Sequence, residues 1–118
     1  SAPPRLDMLP DDRIRLKHML DATQTAIGFL RARARHDLDT DTMLLFATVR
    51  ALEVIGEAAG KVSDSTRSAA PQIPWRAMVG MRNRLIHGYF DIDTEVVWRT
   101  VKNELPELAS AIEGALQA

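Results

Sequence analysis

Residues 45–62, LFATVRALEVIGEAAGKV, decide the fold, because Leu45, Val49, Leu52, Ile55, Ala59 and Val62 recur at three- and four-residue steps. That period lays one apolar stripe along a helix and does not fit the alternation of a half-buried strand. Upstream, Leu16, Leu20, Thr23, Ile27, Leu30 and Ala34 repeat the pattern and predict a helix from about Asp11 to Arg35. Aspartates at its start and Arg31, Arg33 and Arg35 at its end suit the helix dipole. Between the two helices, His36 to Asp41 (HDLDTD) reads as a connection. Residues 63–74, rich in Ser, Pro and small side chains, read as a loop with room for one short helical turn. Pro74 can open a third helix through Trp75, Val79 and Ile86 that stops near Gly88. Asp93 is the N-cap expected for a fourth, whose stripe is Val97, Val101, Leu105, Leu108, Ile112 and Leu116. Pro106 interrupts that stripe. Its missing amide and ring clash would cost roughly 3 kcal/mol in a straight helix, so a kink or break is expected there. No convincing two-residue alternation and no internal repeat are visible. The prediction is an all-α, up-and-down bundle of four main helices, with an extra short helix allowed.

A chain of 118 residues suffices for one domain with a real core and is short for two. A single helical domain over residues 1–118 is expected, with 1 to about 10 as an N-terminal extension. No stretch reaches the length of a membrane span, and the opening SAPPRLDMLPDD lacks the apolar segment of a secretory signal. Absence of cysteine removes disulfides and thiolate metal sites and fits a reducing cytosol. Fifteen basic against sixteen acidic residues give a net charge of −1, which leaves no global field to recruit nucleic acid. RNA contact, if made, is a matter of a local patch. Twelve of the fifteen cations are Arg, which suits bidentate phosphate contacts and fits a high-GC coding bias equally well.

Chemistry concentrates in residues 80–93, GMRNRLIHGYFDID, where Arg82, Asn83, His87 and Tyr89 fall within eight positions. A fixed cation, a group that titrates near neutrality and a phenol can together act on a phosphodiester. On a continuous helix, Asn83 and His87 would share a face while Arg82 and His87 would point roughly 140° apart. Arg82 must then reach around or meet another chain. Cleavage by a neighbouring 2′-hydroxyl needs a base, an acid and a cation, and one motif supplies one imidazole. A symmetric dimer would supply two. Plainer readings stand beside these. His87 could complement a helix end capped by Gly88, Tyr89 could be a half-buried core residue, and Arg84 is expected to be solvated. Asp91 and Asp93 could ligate Mg²⁺, although helix capping is the better account. Glu53 and Glu57 could form a paired-carboxylate site, although a polar face, with Glu57 orienting a motif residue, explains them more simply. His18 and His36 have no ligand-like spacing, so no metal site is assigned.

RNRLIHGY matches the R-x4-H-x-Y motif of HEPN-domain proteins and resembles the HepT-like toxins in particular. RALEVIGEAAGKVS, PQIPWRAMVGMRN and VVWRTVKNELPEL resemble that family in the same order, so the likeness covers nearly the whole chain. It implies an all-helical, homodimeric, cytoplasmic endoribonuclease that needs no metal or other cofactor, the toxin of a type VII toxin–antitoxin system. Its implied partners are RNA and an MNT-type nucleotidyltransferase antitoxin that transfers AMP to the motif tyrosine, with no membrane. By that likeness Arg82 and His87 are the catalytic pair, Asn83 and Tyr89 support them, and Tyr89 is the residue modified to O-AMP-tyrosine. Two other readings are a non-catalytic nucleotide-binding or scaffolding partner of a nucleotidyltransferase, and a plain dimerisation bundle.

Overall fold

The computed structural model describes residues 8–88 and 91–118. Helix α1 spans Pro10–Leu30 and α3 spans Thr42–Gly60, with the four-residue α2, Asp37–Thr40, between them. Helix α4, Asp64–Ala69, lies in the Ser- and Pro-rich stretch, and α5, Trp75–Val79, and α6, Met81–Leu85, follow it. A two-residue antiparallel pair, β1 Ile86–His87 with β2 Asp91–Ile92, leads into α7, Thr94–Arg99. A π-turn, Thr100–Glu104, joins α7 to α8, Leu105–Gln117. The fold is all-α, as the periodicity predicts, with α1 packed against α3 and α8, and α3 against α5 and α6. Leu16, Met19 and Leu30 of α1, Leu52 and Ile55 of α3, and Leu105 and Ile112 of the last helix fill the core. Full burial of each such side chain contributes about 1.5–3 kcal/mol.

The boundaries differ from the sequence reading at several places, each for a physical reason. The first helix ends at Leu30, not Arg35, and its terminal carbonyl accepts from Lys102 Nζ at 2.7 Å, a cation on the negative helix end supplied from 72 residues away. Ala34 is exposed, and the stretch read as a plain connection turns once as α2 because Leu38 is drawn into the core. The third helix is broken at Gly80 and stops at Leu85, where β-branched Ile86 takes extended backbone and Asp93 N donates to Leu85 O at 2.7 Å. His87 therefore sits on a short strand and not on a helix, which removes the shared helical face assigned to Asn83 and His87. Pro106 falls in the first turn of α8, and the expected interruption is the π-turn immediately before it.

Gly56 fixes how α5 and α6 meet α3. A Cβ there would lie 2.7 Å from the carbonyl oxygen of Met78 and 3.5 Å from Met81 Cβ. Only glycine lets the two backbones close to this distance.

At the other end of the bundle, buried Asp12 holds the turn into α4. It accepts from Ser63 N at 3.0 Å and Ser63 Oγ at 2.5 Å, and from Thr66 Oγ1 at 2.6 Å. Burial pushes the Asp12 carboxyl up, but these three hydrogen bonds outweigh it and hold the group below its ordinary 3.8. The unfolded chain then binds the proton more readily than the folded one. The stabilisation is complete above the ordinary value and is lost as pH falls through the depressed one. Lowering pH from about 5 to about 3 should reduce the thermal midpoint more steeply in the wild type than in Asp12→Asn. Equal slopes in calorimetry would remove Asp12 from the acid transition.

Candidate active site

Helix α6 presents the motif through two anchors. Met81 and Leu85, four residues apart and fully buried, pin one face to the core and leave Arg82 and Asn83 outside. The Arg82 side chain is 74% exposed, and its Nε lies 3.6 Å from Glu53 Oε2 on α3. That separation is an ion-pair contact too long for a hydrogen bond. Of the two glutamates read as a pair, Glu53 faces the motif. Glu57 instead binds Arg50, with Arg50 Nη1 donating to Oε1 at 3.0 Å, so its expected role in orienting the motif is not met.

Arg84 is not a freely solvated side chain. Its Nη2 donates to Glu104 Oε2 at 2.7 Å, while Nη1 is buried and has no hydrogen-bond partner among the described residues. Arg82 and Arg84 thus leave one short helix in different directions, the first loosely held from α3 and the second clamped to the π-turn.

His87 lies opposite Asp91 in the two-residue ladder, and Gly88 follows with φ of +77°. The imidazole is just over half exposed, with Nε2 3.6 Å from Asp93 Oδ2. The other oxygen of the same carboxylate, Oδ1, accepts from Val96 N at 3.1 Å and caps α7. Capping, the better account of Asp93 in the sequence, is met, and the contact with His87 is an addition that the sequence did not indicate. Asp91 is exposed on β2, and among the described residues no three His, Asp or Glu side chains converge as a metal site. Tyr89, and Phe90 after it, lie outside the described residues, so the modification assigned to Tyr89 has no geometry here. His18 lines a groove between α1 and α3, and His36 Nε2 is 3.6 Å from Asp37 Oδ1, both apart from the motif.

The site therefore combines an exposed guanidinium and an exposed imidazole at the end of α6 and the strand that follows it. Each is faced by a carboxylate from another element, Arg82 by Glu53 of α3 and His87 by Asp93 at the cap of α7. Glu53 and Asp93 are the partners that sequence reasoning missed in these roles, since neither contact is local in the sense that a helical period can reveal. No helix among the described residues is long and apolar enough to cross a membrane.

Comparison with known proteins gives one consistent result. Residues 19–115 match the family model described as Ribonuclease HepT-like. A Thermococcus cleftensis protein named "Probable ribonuclease HepT" is 39% identical over 98 residues, which is 83% of this chain and 89% of that protein. A Methanocaldococcus jannaschii protein provisionally named an RNase is 36% identical over 98 residues, 83% of this chain and 90% of its own. One from Caldanaerobacter subterraneus, also provisionally named an RNase, is 34% identical over 102 residues, 86% of this chain and 91% of its own. No solved structure matches.

The positive φ at Gly88 carries a direct consequence, because a side chain in the left-handed region costs roughly 1–2 kcal/mol, less for Asn. Gly88→Ala should lower stability by about 1 kcal/mol and Gly88→Asn by less, read by denaturant unfolding. Equal stability of all three proteins would mean that the reversal after His87 does not depend on that conformation.

Proposed function

We propose that this chain, which belongs to the HepT-like ribonuclease family, is a metal-independent endoribonuclease and the toxin of a type VII toxin–antitoxin pair, working in the cytoplasm. The observation that carries the reading is the exposure of Arg82 and His87 around the end of α6, each faced by a carboxylate, in a chain whose relatives carry ribonuclease names. A neutral imidazole takes the proton of the ribose 2′-hydroxyl as its oxygen attacks phosphorus. The bond from phosphorus to the 5′-oxygen breaks, an imidazolium returns a proton to that oxygen, and a 2′,3′-cyclic phosphate and a 5′-hydroxyl are left. Arg82 offsets the charge that builds on the phosphoryl oxygens, and Asn83, exposed beside it, orients the substrate.

Base and acid are two imidazoles, so the active unit is a homodimer with one His87 from each copy. An apolar face supports this arrangement. Met43 and Phe46 of α3 are 84% and 61% exposed, and beside them a groove of about 510 Å³ between α1 and α3 is lined by Ala22, Phe29, Ala47, Ala51 and Val54. A second copy covering the outer face of α3 would bring its surface up to Glu53 and hence to Arg82. Wild-type protein should sediment as a dimer and cut RNA in the presence of EDTA. His87→Ala should reduce cleavage by roughly 100-fold or more while helicity and sedimentation stay unchanged. Cleavage abolished by EDTA and restored by Mg²⁺ would overturn the metal-free chemistry, and an active monomer would overturn the shared site.

Control runs through Tyr89 in this reading. The phenol oxygen of Tyr89 attacks the α-phosphorus of ATP on the antitoxin nucleotidyltransferase, pyrophosphate leaves and the phenol proton is lost. The adduct places a phosphate and a bulky base two residues from His87, where it competes for Arg82 and blocks RNA. Incubation with the antitoxin and ATP should add one or more AMP units to the peptide that contains Tyr89 and silence cleavage, while Tyr89→Phe should escape. An unmodified Tyr89 in a fully silenced complex, read by intact mass, would mean inhibition by binding alone.

A further inference from the structure

We propose that Asp93 is a positioning residue for His87, holding the imidazole with its proton on Nε2 so that Nδ1 is the nitrogen offered to RNA. The inference rests on the ribonuclease reading for its kinetic consequence and on geometry alone for its structural one.

The two oxygens of Asp93 have separate neighbours. Oδ1 accepts the Val96 amide at 3.1 Å, which fixes the carboxylate as the N-cap of α7. Oδ2 is left facing His87 Nε2 at 3.6 Å. The backbone of Asp93 is held as well, its amide donating to Leu85 O at 2.7 Å across the base of the two-strand pair. Asp93 is therefore fixed at two points, whereas His87 sits on a two-residue strand with its side chain 57% exposed. The rigid group is placed to orient the free one.

A carboxylate accepts and cannot donate, so a ring nitrogen that bonds to it carries the hydrogen. At 3.6 Å the contact is short of a hydrogen bond. A small rotation of an exposed ring closes that gap, and catalytic hydrogen bonds are commonly long before substrate binds. With Nε2 protonated, neutral His87 has its lone pair on Nδ1 and serves as the base. Once charged, it gives up the Nδ1 proton and serves as the acid. Both roles pass through the same nitrogen, so one orienting contact suits either copy in a dimer.

Asparagine separates the two functions of Asp93. Its side-chain oxygen still caps α7, but its amide then faces His87 as a donor and favours a proton on Nδ1, the wrong tautomer for a base. Asp93→Asn is expected to keep the wild-type thermal midpoint and a KM within about threefold, and to lose roughly 100-fold in kcat. Nitrogen-15 spectra of the neutral His87 ring should move from the Nε2–H pattern of the wild type toward Nδ1–H. Asp93→Ser, which also caps but is too short to reach the ring, should lose kcat and show a mixture of tautomers. Wild-type kcat in both variants, with an unchanged ring spectrum, would leave Asp93 as a cap and nothing more. If the wild-type protein cuts no RNA, the ribonuclease reading fails, and the ring spectra still decide whether Asp93 sets the tautomer of His87.

Discussion

The close approach of two backbones at Gly56 is the constraint on which the site depends. With the Met78 carbonyl 2.7 Å from where a Cβ would stand, α3 and the α5–α6 segment are nearer than any side-chain-bearing residue allows. Burial of Met78, Met81 and Leu85 follows from that contact. So does the position of Arg82, because Glu53 lies one helical turn before Gly56 on the same helix and meets Arg82 at 3.6 Å. A change at Gly56 would thus move chemistry as well as packing, although Gly56 touches no motif side chain.

Charge around the motif is balanced locally, in keeping with the net charge of −1. Arg82 has Glu53, Arg84 has Glu104 and His87 has Asp93. These contacts are unequal. Arg84 is held by a 2.7 Å charge-assisted hydrogen bond and is only one-third exposed, so releasing it would strand a partly buried pair. Arg82 is mostly exposed at a separation of 3.6 Å, and such pairs contribute about 0–1 kcal/mol. Arg82 can turn to a phosphate at small cost. Arg84 serves the fold.

Legibility in the sequence followed distance along the chain. The stripes of the long helices were readable because a 3.6-residue period is a local signal, and Asp93 as a cap was readable because it lies three residues from the amide it accepts. Features set by distant partners were not readable. The end of α1 at Leu30 depends on Lys102, and the turn into α4 depends on Asp12, 51 residues before Ser63. The strand that carries His87 has two residues, too few for alternation to show, and its partner strand lies beyond a reversal. In the site, residue types and spacing singled out Arg82, Asn83 and His87, while the carboxylates facing Arg82 and His87 came from elements that no helical wheel could bring together.

The π-turn shows the same logic in a case where the signal was present. Val97, Val101 and Leu105 are spaced by two successive four-residue steps, and all three are buried. In a regular α-helix those steps drift by about 80° around the axis, which would carry Leu105 off the core face. A turn closed by a bond from Leu105 N to Thr100 O, five residues back, widens the helix and absorbs the drift. Pro106 fixes where this happens, since a proline is tolerated in the first turn of α8 and not in the interior of an uninterrupted helix. The same widened turn carries Glu104, which holds Arg84. Apolar spacing on the last helix and the clamp on the motif helix are thereby one structural solution, and the site inherits its rigidity on that side from the packing of the core.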